Sequence, residues 1–174
     1  MTGEMHIRAL TDCSGEELAG LADVLIDCVE GGASVSFMLP LSHAKALTFW
    51  HTVAQSAARG ERVLLAAQDA SGTIVGTVQL ILDLPENQPH RAEVAKMLVH
   101  RDARGRGIGA ALLLQAEEQA RRFGRTLLVL DTASDTAERL YERHGWQRCG
   151  VIPRYALFPD GRSCATTIYF KSLL

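Results

Sequence analysis

The chain has 174 residues, 47% hydrophobic and 22% charged, the balance of a globular domain long enough to bury a sizeable core. Its net charge of −2 gives no field to hold nucleic acid or an anionic membrane, and no apolar run approaches the length of a membrane span. Cys13, Cys28, Cys149 and Cys164 are scattered with no Cys-x-x-Cys spacing, which argues against a disulfide scaffold or zinc site and for reduced, mostly buried thiols in the cytoplasm.

The opening Met1-Thr-Gly-Glu-Met-His6 lacks the charged-then-apolar pattern of a leader. A short strand is expected over residues 5–10. Ser14 and Glu17 form a capping box for a helix with Leu18, Leu21, Leu25 and Val29 on one face, ended by Gly31-Gly32. After a loop over 33–41, Ser42 can cap a second helix running to Arg59 and stopped by Gly60. The period then changes. Apolar, β-branched runs at 62–68 and 73–83 are joined by Asp69-Ala-Ser-Gly72, a hairpin signal, and a third strand is expected over 92–99.

A helix over 107–123 buries Ile108, Leu112, Leu113, Ala116 and Ala120 and stops at Gly124. A strand over 127–131 and a helix over 135–144 follow. Strands over 146–158 and 163–171, joined by the Pro159-Asp-Gly-Arg162 turn, complete the chain. The order β-α-α-β-β-β-α-β-α-β-β is that of a mixed α/β domain, read as one domain over residues 1–174.

Between the third strand and the third helix lies Arg104-Gly105-Arg106-Gly107-Ile108-Gly109-Ala110. Glycines there let main-chain N–H groups converge without Cβ interference, and the helix start adds unpaired N–H groups and a positive dipole end. Such a loop binds phosphate or pyrophosphate. A nucleotide P-loop needs a Lys-Ser/Thr pair, but Ala110-Ala111 follows Gly109. The dinucleotide fingerprint needs Gly-x-Gly-x-x-Gly in an opening βαβ unit, whereas this loop is Gly-x-Gly-x-Gly in mid-chain.

Arg104-x-x-Gly107-x-Gly109 after Val99 resembles the coenzyme A pyrophosphate loop of the GNAT superfamily of N-acetyltransferases. Ala92-Glu93-Val94 through Val99 resembles that family's fourth strand. Ala137, Leu140, Tyr141 and Gly145-Trp146 match its later motif, with Ser134 at the usual Asn position and Trp146 for Phe. A narrower resemblance is to the tabtoxin-resistance acetyltransferases, which act on a small β-lactam toxin. It rests on Gly31-Gly32-Ala33-Ser34-Val35, Phe37-Met38, Arg91-Ala92-Glu93-Val94, Leu130-Asp131-Thr132, Pro159-Asp160-Gly161-Arg162 and the ending Thr167-Ile168-Tyr169-Phe170-Lys171.

The resemblance implies the GNAT fold: a mixed, mostly antiparallel twisted sheet of about seven strands flanked by about four helices. It implies acetyl-CoA as co-substrate, no metal, and a small-molecule amine or hydroxyl as acceptor, with a homodimer compatible with the fold. A peptide or protein amine as acceptor, or a non-catalytic coenzyme A-binding module, are the alternatives. The coenzyme would be held by the main chain of 104–110, with Arg104 or Arg106 adding charge-assisted contacts to phosphate. Its arm would pair with Met97, Leu98 and Val99 and pass Ser134 and Ala137, with the oxyanion met by an N–H near Leu98 or Val99 at a strand irregularity.

The match of Tyr141 to the family's tyrosine implies that it is the acid, a role suited to a phenol of pKa ~10 that stays protonated beside a thiol of ~8.5; its alternative role is an aromatic core residue. Glu93 and Asp131 are candidate bases for an acceptor ammonium, and burial of the strand ending in Asp131 would raise its pKa. Ser34, Phe37, Arg154 and Tyr155 would wall the acceptor. Among the histidines at 6, 43, 51, 90, 100 and 144 no metal-ligand spacing occurs, and Cys149 reads as a core residue.

Overall fold

The structure, a computed structural model, describes residues 5–174; residues 1–4, part of the segment read for a leader, lie outside them. The elements are β1 (His6–Ala9), α1 (Gly15–Glu30), α2 (His43–Ala58), β2 (Arg62–Gln68), β3 (Ile74–Ile81), β4 (Arg91–Val99), α3 (Ile108–Arg122), β5 (Leu127–Thr132), α4 (Asp135–Arg143), β6 (Gln147–Leu157) and β7 (Ser163–Ser172). A 3-10 turn at Arg101–Ala103, absent from the sequence-based reading, joins β4 to the glycine loop. The strands form one seven-stranded sheet in the order β1-β2-β3-β4-β5-β7-β6. Every neighbouring pair is antiparallel except β4 and β5, which run parallel because α3 is the crossover between them.

Alternation along the strands sorts the core into two layers. Val63, Leu65 and Ala67 of β2 pack with Leu112, Leu113 and Ala116 of α3 on one face. Leu64 and Ala66 meet Leu21 and Leu25 of α1 and Trp50 and Val53 of α2 on the other. Strand β2 therefore reads as a continuous apolar run because both of its faces are covered. At Gly76 a Cβ would lie 3.1 Å from both Ile108 Cγ2 and the Leu98 carbonyl, so glycine is what lets α3 seat tightly against β3.

Helix starts divide into two kinds. Ser14, Ser42 and Ser134 each accept a hydrogen bond from a backbone N–H of the helix they open, and Ser14 completes its capping box with Glu17. Helix α3 begins instead at Gly107, φ 77, with no side-chain cap, which leaves its first N–H groups free.

Two expectations are corrected. Trp146 is not in β6 but forms a buried plug after α4, and Cys149 is exposed on the edge strand rather than in the core. The edge position of β6 is the reason, since among the described residues no strand pairs with its outer side.

Candidate active site

Strands β4 and β5 pair only where Arg91–Glu93 meets Leu127–Val129. Beyond Glu93 they part, β5 staying with β7 while β4 stays with β3. A bulge opposite Val78 helps the parting, because the β3–β4 register shifts between Gln79↔Ala95 and Thr77↔Leu98. Lys96 occupies that bulge at φ 51, a left-handed conformation that costs a non-glycine residue about 1–2 kcal/mol. The result is a cleft of about 1140 Å³ at the carboxyl ends of the central strands. One wall is the β4 edge facing β5, which has no ladder partner beyond Glu93.

The glycine loop closes one end of the cleft. Gly105, Gly107, Ile108, Gly109 and Ala110 line it together with Met97, Leu98 and Val99. Gly105 (φ 76) and Gly107 (φ 77) are left-handed, and a Cβ built on either would meet nothing within 4 Å. That space lies in front of the uncapped start of α3, the geometry an oligophosphate needs. Asp27 braces the loop: its Oδ2 accepts the Arg101 N–H at 2.9 Å and its carbonyl accepts the Arg101 guanidinium at 3.1 Å. Burial pushes the Asp27 carboxyl up, but these Arg101 bonds and nearby His100 outweigh it and hold it below the usual range.

The two loop arginines differ from expectation. Arg104 lines the cleft, yet its Nε donates to the Val99 carbonyl at 3.0 Å, so its guanidinium ties the end of β4 rather than reaching outward. Arg106 is exposed, lies outside the cleft lining, and has its charge near Asp69 of the β2–β3 turn.

Tyr141, Asp131 and Glu93 all line the cleft. Tyr141 is buried, with its ring centroid 5.7 Å from Trp146 and 5.9 Å from Tyr169. Burial, and then the charge of Asp131, push its phenol up to about 12. Asp131 is exposed, which removes the desolvation that the sequence suggested for it; β5 carries it past the end of the buried run and out to the cleft. Its Oδ2 accepts the Thr166 hydroxyl at 2.7 Å. The Glu93 carboxylate is instead taken by Arg91, at 2.8 Å.

Ser134 and Ala137 line the cleft at the start of α4, and the Ser134 Oγ accepts the Ala137 N–H at 3.3 Å. Of the acceptor-wall residues, Ser34 and Tyr155 reach the lining. The Ser34 hydroxyl donates to the Leu157 carbonyl at 2.9 Å, tying the 31–41 loop to β6. Phe37 turns away to stack edge-on against Phe49 at 5.1 Å, and Arg154, at φ 54 in a β6 bulge, is also outside the lining.

Three further residues belong to the site. Lys96 lines the cleft and donates from Nζ to Ser36 Oγ at 2.9 Å. Thr166 orients Asp131, as above. Glu117 is buried on α3, where it accepts Trp146 Nε1 at 3.0 Å and Lys171 Nζ at 2.7 Å, and so holds the tryptophan against Tyr141. A carboxylate within the apolar stripe of α3 was the available signal for Glu117; a lysine at a strand bulge left none. Among the described residues no group of His, Cys, Asp and Glu could hold a metal ion, and no described helix is long and apolar enough to cross a membrane.

Gly107→Val is expected to weaken binding of an oligophosphate-bearing ligand by more than about tenfold, by placing a branched side chain where the oligophosphate would sit, at a left-handed position that costs about 1–2 kcal/mol. Gly109→Ala is the control, since its Cβ meets only Leu140 Cδ2 at 3.4 Å. Calorimetric titration of both variants checks this; equal affinities would refute the loop's assigned role.

A glycine cradle at a bare helix start, beside a strand edge freed by its parallel neighbour, is a geometry suited to an extended phosphorylated ligand laid along the central sheet. The chain belongs to the acetyltransferase (GNAT) family, which it matches over residues 35–146. It is 36% identical over 92 residues to an IAA acetyltransferase of Azospirillum brasilense, a stretch covering 52% of this chain and 57% of that protein. The chain thus spans little more than half the length of that curated relative. Its fold is similar to that of a ribosomal-protein-alanine N-acetyltransferase of Brucella melitensis (TM-score 0.77, 25% identity, 97% of this chain and 99% of that one). It is also similar to that of a phosphinothricin acetyltransferase of Sinorhizobium meliloti in complex with acetyl-CoA (TM-score 0.78, 19% identity, 99% of this chain and 89% of that one).

Proposed function

We propose that the chain is, over its whole length, one acetyltransferase domain that uses acetyl-CoA and passes the acetyl group directly to an amine, or a hydroxyl, of a small molecule. The observation that carries this reading is the meeting, in one cleft, of the glycine cradle, the unpaired β4 edge, Tyr141 and Asp131. Acetyl-CoA supplies the acyl group and a thiolate leaving group. The N–H groups of 105–110 would hold its pyrophosphate, and the open edge at Met97, Leu98 and Val99 would pair with its amides.

Asp131 would take the proton that the acceptor ammonium must lose, a role supported by its hydrogen bond from Thr166 and its exposure to solvent. Tyr141 is protonated throughout the physiological range. Because burial disfavours the phenolate, its part is to donate a hydrogen bond that strengthens as negative charge grows on the departing sulfur. The net change for an amine is one N–C bond made and one C–S bond broken; of the two protons the ammonium loses, one passes to solvent through Asp131 and the other, released from nitrogen as the N–C bond forms, ends on the departing thiolate.

The finer reading, a β-lactam-type toxin or antibiotic as acceptor with a role in resistance, rests on the resemblance to tabtoxin-resistance acetyltransferases. A second reading, a peptide or protein amine, draws on the likeness to the Brucella melitensis protein. Mass spectrometry of whole-protein against metabolite acceptors separates the two. A homodimer would use the β6 edge, where Val151, Ile152, Tyr155 and Leu157 are exposed. The free cysteines fit a reducing cytoplasm.

The test of the co-substrate is thermal. At a hundredfold over its dissociation constant acetyl-CoA should add about 2.7 kcal/mol of stability, a rise of roughly 5–10 °C in Tm for a chain of this size. No rise would refute the proposal.

A further inference from the structure

Lys96 has no part in the chemistry described so far, and its setting is unusual. The β4 bulge aims its side chain into the cleft, where among the described residues its ammonium makes one hydrogen bond, to Ser36 Oγ. No described carboxylate lies within ion-pair distance of it. The charges facing it are Arg62, of the same sign, and Asp131 on the opposite wall. Glu93, the other acid of the cleft, is already paired with Arg91. Burial works against this cation, pushing it below its usual range, while Asp131 opposes that shift and Arg62 adds to it. A half-buried ammonium with unused donors is complementary to an anion that arrives with the ligand. Both Lys96 and Ser36 are held in left-handed backbone, φ 51 and φ 80, so the chain maintains this pair at a conformational cost.

The cleft therefore presents an ammonium on β4 and a carboxylate on β5, separated but facing the same space. We propose that Lys96 anchors the acceptor: the acceptor bears a carboxylate close to the amine that is acetylated, with the amine turned to Asp131 and the carboxylate bound by Lys96 and Ser36. This deepens the acetyltransferase reading and rests on it. The acceptor class is then amino carboxylates, and amines without a carboxylate are poor acceptors.

The experiment compares α-amino acids with their own α-carboxamides, alongside a diamine and an aminoglycoside, as acceptors with acetyl-CoA. The expected result is a kcat/KM for the acids at least roughly tenfold above that for the carboxamides. Lys96→Met should abolish that ratio by slowing the acids alone, and Lys96→Arg should retain much of it. Amino acids should raise the Tm of the coenzyme A-loaded protein, and Lys96→Met should lose this rise while keeping the rise produced by acetyl-CoA. Ser36→Gly, which suits the φ 80 backbone, is a second variant that should lower the ratio without loss of folding.

Equal rates for acid and carboxamide, an unchanged ratio in Lys96→Met, or turnover confined to acceptors lacking a carboxylate would each overturn the assignment. Absence of both turnover and stabilisation by acetyl-CoA would overturn the acetyltransferase reading instead, and this inference with it.

Discussion

Replacing Tyr141 by phenylalanine is expected to lower kcat by about a hundredfold or more, with acetyl-CoA binding and Tm little changed. The variant removes one oxygen and keeps the ring, so the packing against Trp146 and Tyr169 survives. The phenol is surrounded by apolar atoms and a carboxylate, and both keep it protonated. Its pKa is raised, so the donor is present at lower pH and is lost only as pH rises through about 12. The wild-type rate should therefore show no alkaline limb from this group between pH 7 and 10, whereas an ordinary exposed phenol would begin to titrate there. Steady-state kinetics across that range, paired with calorimetric titration of acetyl-CoA, checks both parts. A variant that binds acetyl-CoA and turns over at the wild-type rate would leave Tyr141 a core residue. A wild type without turnover that still binds would favour the non-catalytic module.

The second large effect is expected at Asp131. Asp131→Asn should reduce kcat/KM by about 10²–10³-fold, and Glu93→Gln by less than about tenfold. The two carboxylates line the same cleft but are differently engaged. Asp131 accepts a neutral hydroxyl from Thr166 and is otherwise open, so it can exchange a proton with acceptor and solvent. Glu93 is bound to Arg91 at 2.8 Å, and protonating it would give up that contact. Rates for both variants at saturating acetyl-CoA, with Tm as the check on folding, decide the matter. The reverse order of effects would move the base to Glu93.

Much of this site was legible in the chain. The glycines at 105, 107 and 109 between a strand and a helix are a local pattern, and the geometry they impose is local: two left-handed residues and an uncapped helix start. Ser14 and Ser42 announced two helices because capping is settled within three residues. The motif around Tyr141 placed it on the same cleft, since α4 follows directly from β5.

Other features depended on distant partners. Arg104 looked like a phosphate ligand, but the Val99 carbonyl ends beside it and takes its Nε. Phe37 looked like an acceptor wall, but Phe49 of α2 draws it into the packing behind the loop. Asp131 looked buried because the run before it is apolar, yet the strand emerges into the cleft at that residue. The bulge at Lys96 shifts the side-chain alternation of β4, and nothing in Glu93-Val94-Ala95-Lys96-Met97 signals it.

Periodicity, capping and glycine placement act over a few residues, and from them the chain alone specified its elements, their order and the phosphate cradle, while the candidate acid and bases came from the family resemblance. The cleft itself exists because β5 follows β7 while a bulged β4 follows β3, a parting that depends on pairing between segments far apart in the chain. Folding therefore decided which carboxylate stays free, and it set Lys96 opposite Asp131, because side-chain direction at a bulge and hydrogen bonds across elements are settled only when the sheet assembles.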